Sequence, residues 1–255
     1  MQSGFKTTDD IRNLQTEWLK GCLANKITSR PGTHFSYSSM NTYLLSTIIT
    51  RVTGMSLLDY LRPRLFQPLH ITDLVWENSP EQMTCGGWGL YMQAESMAKF
   101  GQLLLNRGLW NGRQLIPAEW VDEMMKLQVP GSNYGYHMWQ CDNPNTARAD
   151  GSFGQFIIVM PNEDMVAVIT QSAYTAGVGA KERDILFTQL LPTLSSHALP
   201  ENKASLALQR KQATYSIPPI DGSSTTKRHD IYNKTYVFTC LLYTSDAADD
   251  LTRVD

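Results

Sequence analysis

The sequence predicts a mixed fold of the α/β class in its α+β form, with helices in the first half and antiparallel strands after them. Three observations predict it. Apolar residues recur at helical spacing from about residue 9 to residue 127, β-branched and aromatic residues take over after Pro130, and two such runs meet across PNED, residues 161–164. At 255 residues, 42% hydrophobic and 18% charged, the chain has the composition of a soluble globular protein: one large domain, or one domain with an appendage.

The elements follow in order. TTDD offers cap oxygens and first-turn carboxylates at Thr8 or Asp9, so a helix is expected through IRNLQTEWLKGCLA with Ile11, Leu14, Trp18 and Leu19 near one face. Pro31 and Gly32 break it. The next helix carries Tyr43, Leu44, Ile48 and Val52 and stops at Gly54, a residue suited to the left-handed C-terminal position. Ser56 to Asp59 has the form of a capping box and starts a short helix. GGWGLYMQAESMAKFGQLLLNRG predicts a glycine-rich approach and then an amphipathic helix with Met97, Phe100, Leu103 and Leu104 inward, ended by Gly108. Pro117 opens the helix PAEWVDEMMKL. YGYHMW and FGQFIIVMPNEDMVAVITQ read as strands, the second folded into a hairpin at PNED, and ERDILFTQLLPTL as a last helix.

Residues 1–197 therefore form the main domain, 198–231 a polar, proline-bearing linker, and 232–239 the first strand of a further small β domain. Residues 240–255 are set apart: CLLYTSDAAD matches the translation of a transposase sequencing adapter, and the segment is excluded from the fold as a tag would be.

Several functions are disfavoured. A formal net charge of −2 without a lysine-arginine run argues against a nucleic-acid partner. The apolar stretches fall well short of the ~20 residues that span a bilayer. MQSGFKTTDD lacks the regions of a signal peptide, which is informative only if Met1 is the true start. Cys22, Cys85, Cys141 and Cys240 form no C-x-x-C pair and read as free thiols. His34, His70, His137, His197 and His229 lack metal-ligand spacing and read as surface or packing residues, so no metal and no cofactor are expected. Neither a G-x-S-x-G elbow nor a phosphate-binding glycine loop occurs.

What remains is serine-lysine-tyrosine chemistry. There a lysine one helical turn after a serine activates it, and a tyrosine moves the proton to the leaving group. A phenol with an ordinary pKa of ~10 needs a neighbouring ammonium to act as a base. S-x-x-K occurs at Ser3–Lys6, Ser96–Lys99 and Ser224–Lys227, against roughly one match expected by chance. Ser96 alone lies on a predicted helix, and its neighbours Met97 and Phe100 make that a packing helix.

Taken together, PGTHFSYSSMNTYLLSTIITRVTGMSLLDYLRPRLFQPLHI, GGWGLYMQAESMAKFGQLLLNRGLWNGRQLIPAEWV and ADGSFGQFIIVMPNEDMVAVIT resemble the serine β-lactamase-related hydrolases. That family embraces class C β-lactamases, D-alanyl-D-alanine carboxypeptidases, family VIII esterases and 6-aminohexanoate-oligomer hydrolases. The resemblance covers about residues 1–196 and implies a β-lactamase/transpeptidase-like fold, an antiparallel sheet beside a helical lobe. It implies cleavage of an ester or amide in a small-molecule or peptide substrate through an acyl-enzyme. Tyr37 stands where the family has the tyrosine of Tyr-Ser-Asn and looks like the proton shuttle. Ser39 takes the asparagine's place, and a hydroxyl cannot offer both an amide donor and a carbonyl. Ala149-Asp150-Gly151 falls at the Lys-Thr-Gly or His-x-Gly motif without its cation or imidazole, in an A-x-G-x-x-G-Q form that extends to Gly154 and Gln155. The Ser152 N–H would supply one oxyanion donor. Trp88, Tyr91, Tyr134 and Trp139 are either cleft aromatics or core residues.

The family's nucleophile motif has no counterpart, and MQSGF resembles a segment that lies downstream of it. The chain is thus expected to be a fragment that lacks the N-terminal strands and the nucleophile helix, to expose a sheet edge, and to be inactive and poorly soluble alone. The departures at Ser39 and Ala149 leave a second reading open, a non-catalytic relative that binds peptidoglycan-like or peptide ligands.

Overall fold

The computed structural model of the chain describes residues 9–14, 16–27, 29–30, 32–172 and 180–216. Its first helical stretch is divided. Helices α1 (Asp9–Arg12) and α2 (Trp18–Ala24) replace the single helix expected through Ala24, and the reason is tertiary. The Trp18 N–H, an orphan donor of the first turn of α2, is taken by the Glu81 carboxylate from a remote loop. Arg12 Nη2 lies 2.9 Å from both oxygens of Glu77 in the same loop. Ile11, Trp18 and Cys22 still meet in one core with Met40, Tyr43 and Cys85.

Helix α3 (Ser39–Thr53) ends on Gly54 at φ 71°, the left-handed position glycine fills without a Cβ penalty. It buries Met40, Tyr43, Ser46 and Thr47 and leaves Ile48 and Val52 exposed. Its buried stripe is half polar: Ser46 Oγ donates to the Thr84 carbonyl of a loop at 2.6 Å, and Thr47 Oγ1 donates back to the Leu44 carbonyl of the helix itself at 2.8 Å. Helix α4 (Leu57–Leu61) is capped by Ser56, whose hydroxyl accepts the Asp59 N–H at 3.1 Å, and it continues as a wider turn over Arg62–Phe66.

Strand β1 (Leu74–Trp76) pairs antiparallel with β2 (Leu90–Met92), and residues 77–89 between them fold back on α3. Helix α5 (Ala94–Leu105) turns Met97, Leu103 and Leu104 into the core, with Phe100 partly buried between two clusters. A short hairpin, β3 (Leu109–Trp110) and β4 (Arg113–Gln114), leads to helix α6 (Ala118–Met125), with Pro117 just before its first turn.

The main sheet is antiparallel in the order β5 (Trp139–Gln140), β6 (Ala147–Gly151), β7 (Gln155–Met160), β8 (Met165–Ile169). β7 is covered on both faces: Ile157 and Val159 pack with Met97 and Leu104 of α5, while Phe156, Ile158 and Met160 pack with Leu186. Leu186 follows helix α7 (Ala180–Ile185) in a helical run that reaches Thr193. The β7–β8 hairpin turns through Pro161–Glu163 and Asp164 (φ 49°), within the PNED predicted to turn there. YGYHMW is not the strand its composition suggests. The Gly135 N–H bonds to the Met138 carbonyl at 2.7 Å, His137 adopts φ 63°, and Tyr134 bridges back to Trp139, so the run is a tight turn. A Cβ on Gly135 would lie 2.1 Å from the Met124 carbonyl oxygen; the turn is pressed against the end of α6, which overrides β propensity.

The chain divides into two compact units, Met1–Leu194 and Ser195–Asp255. In the second, the stretch expected as linker contains a regular helix, α8 (Lys203–Thr214). Asn202 accepts the N–H groups of Ala204 and Ser205, Ser205 reciprocates, and the helix formers of KASLALQRKQA propagate it without a buried residue. The expected strand at 232–239 and the segment 240–255 lie outside the described residues. Among the described residues no helix is long and apolar enough to cross a membrane.

Two expectations follow from this packing. A Cβ at Gly101 would approach Val166 to 2.5 Å and Ile157 to 2.8 Å, so Gly101→Val is expected to lower stability by about 1–3 kcal/mol in denaturant unfolding. Burial opposes ionisation of Glu81, but hydrogen bonds from Ser79, its own backbone N–H, Trp18 and Tyr43 outweigh it and hold the carboxyl below its ordinary value of 4.5. A depressed folded-state pKa contributes stability that is fully present above the unfolded value and is lost as pH falls through the folded one. Acid unfolding of Glu81→Gln should therefore be less steep below about pH 4.5 than that of the parent chain.

Candidate active site

Tyr37 lies two residues before α3, Ser38 occupies the N-cap position and Ser39 is the first helical residue. Ser38 is buried and extended yet makes no side-chain cap bond, so the hydroxyl cluster is not there to cap the helix. The Tyr37 side chain instead meets a group of rings. It stacks on Trp139 at 5.6 Å and 28°, and meets Tyr134 edge-on at 5.8 Å. Tyr134 and Trp139 are themselves 4.6 Å apart, and Phe35 closes the group at 4.9 Å from Tyr134. Each such pair adds about 0.5–1.5 kcal/mol beyond area burial, enough for four rings to fix one phenol.

The two tyrosines of the group differ in chemistry. Tyr134 is 4% exposed, and burial, then the neighbouring Tyr37, pushes its pKa up, so it stays a neutral phenol. Tyr37 is 45% exposed and reaches solvent. Among the described residues no lysine or arginine hydrogen-bonds to Tyr37 or lies over its ring.

Two glycines press the 77–89 loop onto the same helix turn. A Cβ on Gly87 would lie 2.5 Å from the Ser39 carbonyl oxygen, and one on Gly86 3.0 Å from that of Thr42. The loop is held from behind by Tyr43, whose hydroxyl lies 3.1 Å from Ser79 and 3.3 Å from Glu81; with one proton it serves one of them at a time. Burial and the Glu81 charge raise the Tyr43 pKa to about 12, so Tyr43 is a structural phenol. Trp88 belongs to this packing, 5.9 Å from Trp18 and 6.2 Å from Tyr43, and does not join the rings around Tyr37. Tyr91 lies exposed on β2.

Trp139 connects the phenol to the sheet. It pairs with Arg148 on β6, and Ala149, Asp150 and Gly151 are the next three residues of that strand. Ala149 packs beside the α5 core, whereas Asp150 is engaged by Arg148 at 3.0 Å and by Arg183 at 3.8 Å and is spoken for as a base. Ser152 sits in the exposed turn from Gly151 to Gly154, with Phe153 at φ 64° and Gly154 at φ 89°. Gly154 is needed twice over, for its φ and because a Cβ there would meet the Gln171 side chain at 1.9 Å; Gln155 donates to the Gln171 carbonyl.

Ser96 and Lys99 are not such a pair. Ser96 is 6% exposed in the α5 packing, and Lys99 Nζ donates to the His70 carbonyl at 2.8 Å. Residues not anticipated from the sequence complete the picture. Phe35 joins the rings, and His137 Nε2 lies 2.8 Å from Thr42 Oγ1 on the first turn of α3. Their sequence signals were the place of Phe35 in PGTHF just ahead of Tyr37 and of His137 within YGYHMW. Among the described residues no three of His, Cys, Asp and Glu converge to hold a metal ion.

Comparison with known proteins gives the family and the fold. Residues 1–189 match a family model described as beta-lactamase. A solved structure from Bacillus anthracis, assigned as a 6-aminohexanoate-dimer hydrolase, is similar at 27% identity and a TM-score of 0.59, over 65% of this chain and 45% of its own. A beta-lactamase from Mycobacterium bovis (19% identity, TM-score 0.52, 64% of this chain and 67% of its own) shares the fold. So does an octameric penicillin-binding protein homologue from Pyrococcus abyssi (18%, 0.52, 65% and 44%). An uncharacterized protein of Alkalihalophilus pseudofirmus is 25% identical over 205 residues, 64% of this chain and 60% of its own length. The chain thus spans 45% of the length of the Bacillus anthracis protein and 60% of that of the Alkalihalophilus pseudofirmus protein.

The close approach at Gly87 supplies a test. Because the obstructing atom is backbone and cannot swing away, Gly87→Ala must displace the loop or the first turn of α3. A weakened aromatic near-ultraviolet circular dichroism signal and about 1–3 kcal/mol lower stability are expected.

Proposed function

The chain belongs to the beta-lactamase family of serine hydrolase relatives, and from that premise we propose that it supplies the tyrosine side of a site that cleaves an ester or amide through an acyl-enzyme. The observation that carries this reading is the placement of Tyr37, fixed by Phe35, Tyr134 and Trp139 yet open to solvent, one strand away from Ala149–Gly151. In the proposed reaction a serine attacks the carbonyl, Tyr37 moves its proton to the leaving group, and water then releases the acyl group. Ser39 contacts the substrate beside Tyr37, the Ser152 N–H is one oxyanion donor, and Gly151, Gly154 and Gln155 shape the strand edge on which the substrate lies. The hydroxyl of Ser39 and the methyl of Ala149 favour ester over amide substrates in this proposal, since neither replaces the polar groups that would hold an amide.

The serine and lysine of the reaction are proposed to lie in a part of the whole protein that this chain does not contain: Ser96 is buried, Lys99 Nζ donates to the His70 carbonyl, the Ser3–Lys6 and Ser224–Lys227 matches lie outside the described residues, and the chain covers 45% and 60% of two of its relatives. The 255-residue chain is then expected to resist a fluorescent fluorophosphonate, while the longer reading frame is labelled. In that longer protein Tyr37→Phe should lower kcat for a p-nitrophenyl ester by about 10²–10⁴-fold. Labelling of the short chain that disappears in Ser96→Ala would place the nucleophile on α5 and sink this assignment. A longer frame without S-x-x-K would favour a ligand-binding relative instead.

A further inference from the structure

His137 stands on backbone that histidine seldom takes. Its φ of 63° lies in the left-handed region, a conformation that persists in a non-glycine residue only where the surroundings hold it. Two contacts do so here: the Gly135 to Met138 hydrogen bond closes the turn, and the Thr42 hydroxyl lies 2.8 Å from Nε2. The imidazole therefore reaches from the end of the sheet to the first turn of the helix that follows Tyr37.

That end of the site is otherwise poor in side-chain donors. Phe35 and Trp139 present ring faces, Tyr134 is buried, and β6 offers Ala147, Ala149 and Gly151 on the side facing α5. Arg148 and Asp150 hold each other. His137 keeps open surface although neighbouring atoms crowd its ring, and that desolvation keeps its pKa below the ordinary value and the ring neutral near pH 7. In the tautomer whose Nε2 accepts the Thr42 hydroxyl proton, the neutral ring carries its hydrogen on Nδ1. Among the described residues Nδ1 has no partner.

We infer that His137 is a specificity-determining residue of this site, its Nδ1–H donating to a carbonyl oxygen of the bound substrate and its ring held in line by Thr42. The inference rests on the cleft proposed above and adds to it a neutral side-chain donor on the turn between Tyr134 and Trp139. It selects for a substrate with a second carbonyl or carboxylate beyond the bond that is cleaved, since the oxyanion donors serve the first.

The test uses the full chain labelled with ¹⁵N-histidine and ¹⁵N-tryptophan, titrated with monoethyl adipate as an ester probe that carries a second, distal carboxylate. The His137 Nδ1 and Trp139 indole resonances should shift together along one binding curve. His137→Phe should weaken the probe by about 5- to 10-fold while the Trp139 shift survives, and His137→Asn, which tolerates the left-handed backbone and can donate, should restore most of the affinity. Should His137→Phe disturb the turn, Thr42→Val keeps the Gly135 to Met138 hydrogen bond that closes it and should weaken the probe about 2- to 5-fold by freeing the ring. A Trp139 shift with an unmoved His137 and unchanged affinity in both variants would overturn the inference and leave the cleft standing. Silence of both resonances would overturn the cleft and the inference together.

Discussion

The arrangement depends on one backbone contact, the approach of Gly87 to the Ser39 carbonyl oxygen, with Gly86 seated on Thr42 one turn further along. Any side chain at Gly87 would hold the 77–89 loop off α3. Because the loop lies flush, Ser46 reaches the Thr84 carbonyl and Tyr43 reaches Ser79 and Glu81. Glu81 can then start α2, and Glu77 can hold Arg12. A single missing Cβ thus sets the position of three helices relative to the turn that carries Tyr37.

The sheet imposes the second constraint. β7 is buried on both faces and fixes where α5 and the helical run from α7 must lie. β5 is only two residues long, but Trp139 on it pairs with Arg148 and stacks on Tyr37, so one side chain ties the helical part to the sheet. The charged side chains of β6 are taken up in the Arg148–Asp150–Arg183 network, two guanidiniums on one carboxylate.

Much of this was legible in the sequence, and the exceptions share a cause. Gly54 as a helix stop, Ser56 as a cap, the inward residues of α5 and the PNED turn depend on local rules, and local rules predicted them. The break between α1 and α2 depends on Glu81, more than sixty residues away, which no window around Trp18 contains. YGYHMW has strand composition but turns because Gly135 is packed on Met124, again a remote partner. α8 was missed for the opposite reason: its cap and helix formers are local, but without an apolar stripe it reads as linker. At the site, Tyr37 was visible as a motif, whereas the roles of Phe35, Thr42 and His137 arise only when segments about a hundred residues apart meet.

That separation has a kinetic meaning. The β6–β7–β8 meander closes through short turns, and such local contacts form early because little chain entropy is lost in making them. The stacking of Tyr37 on Trp139 and the contact of Thr42 with His137 require closure of a loop some hundred residues long, so they form late and are among the first to open when the molecule fluctuates. The ring contacts around the phenol therefore form a late-closing layer on a sheet whose own contacts are local.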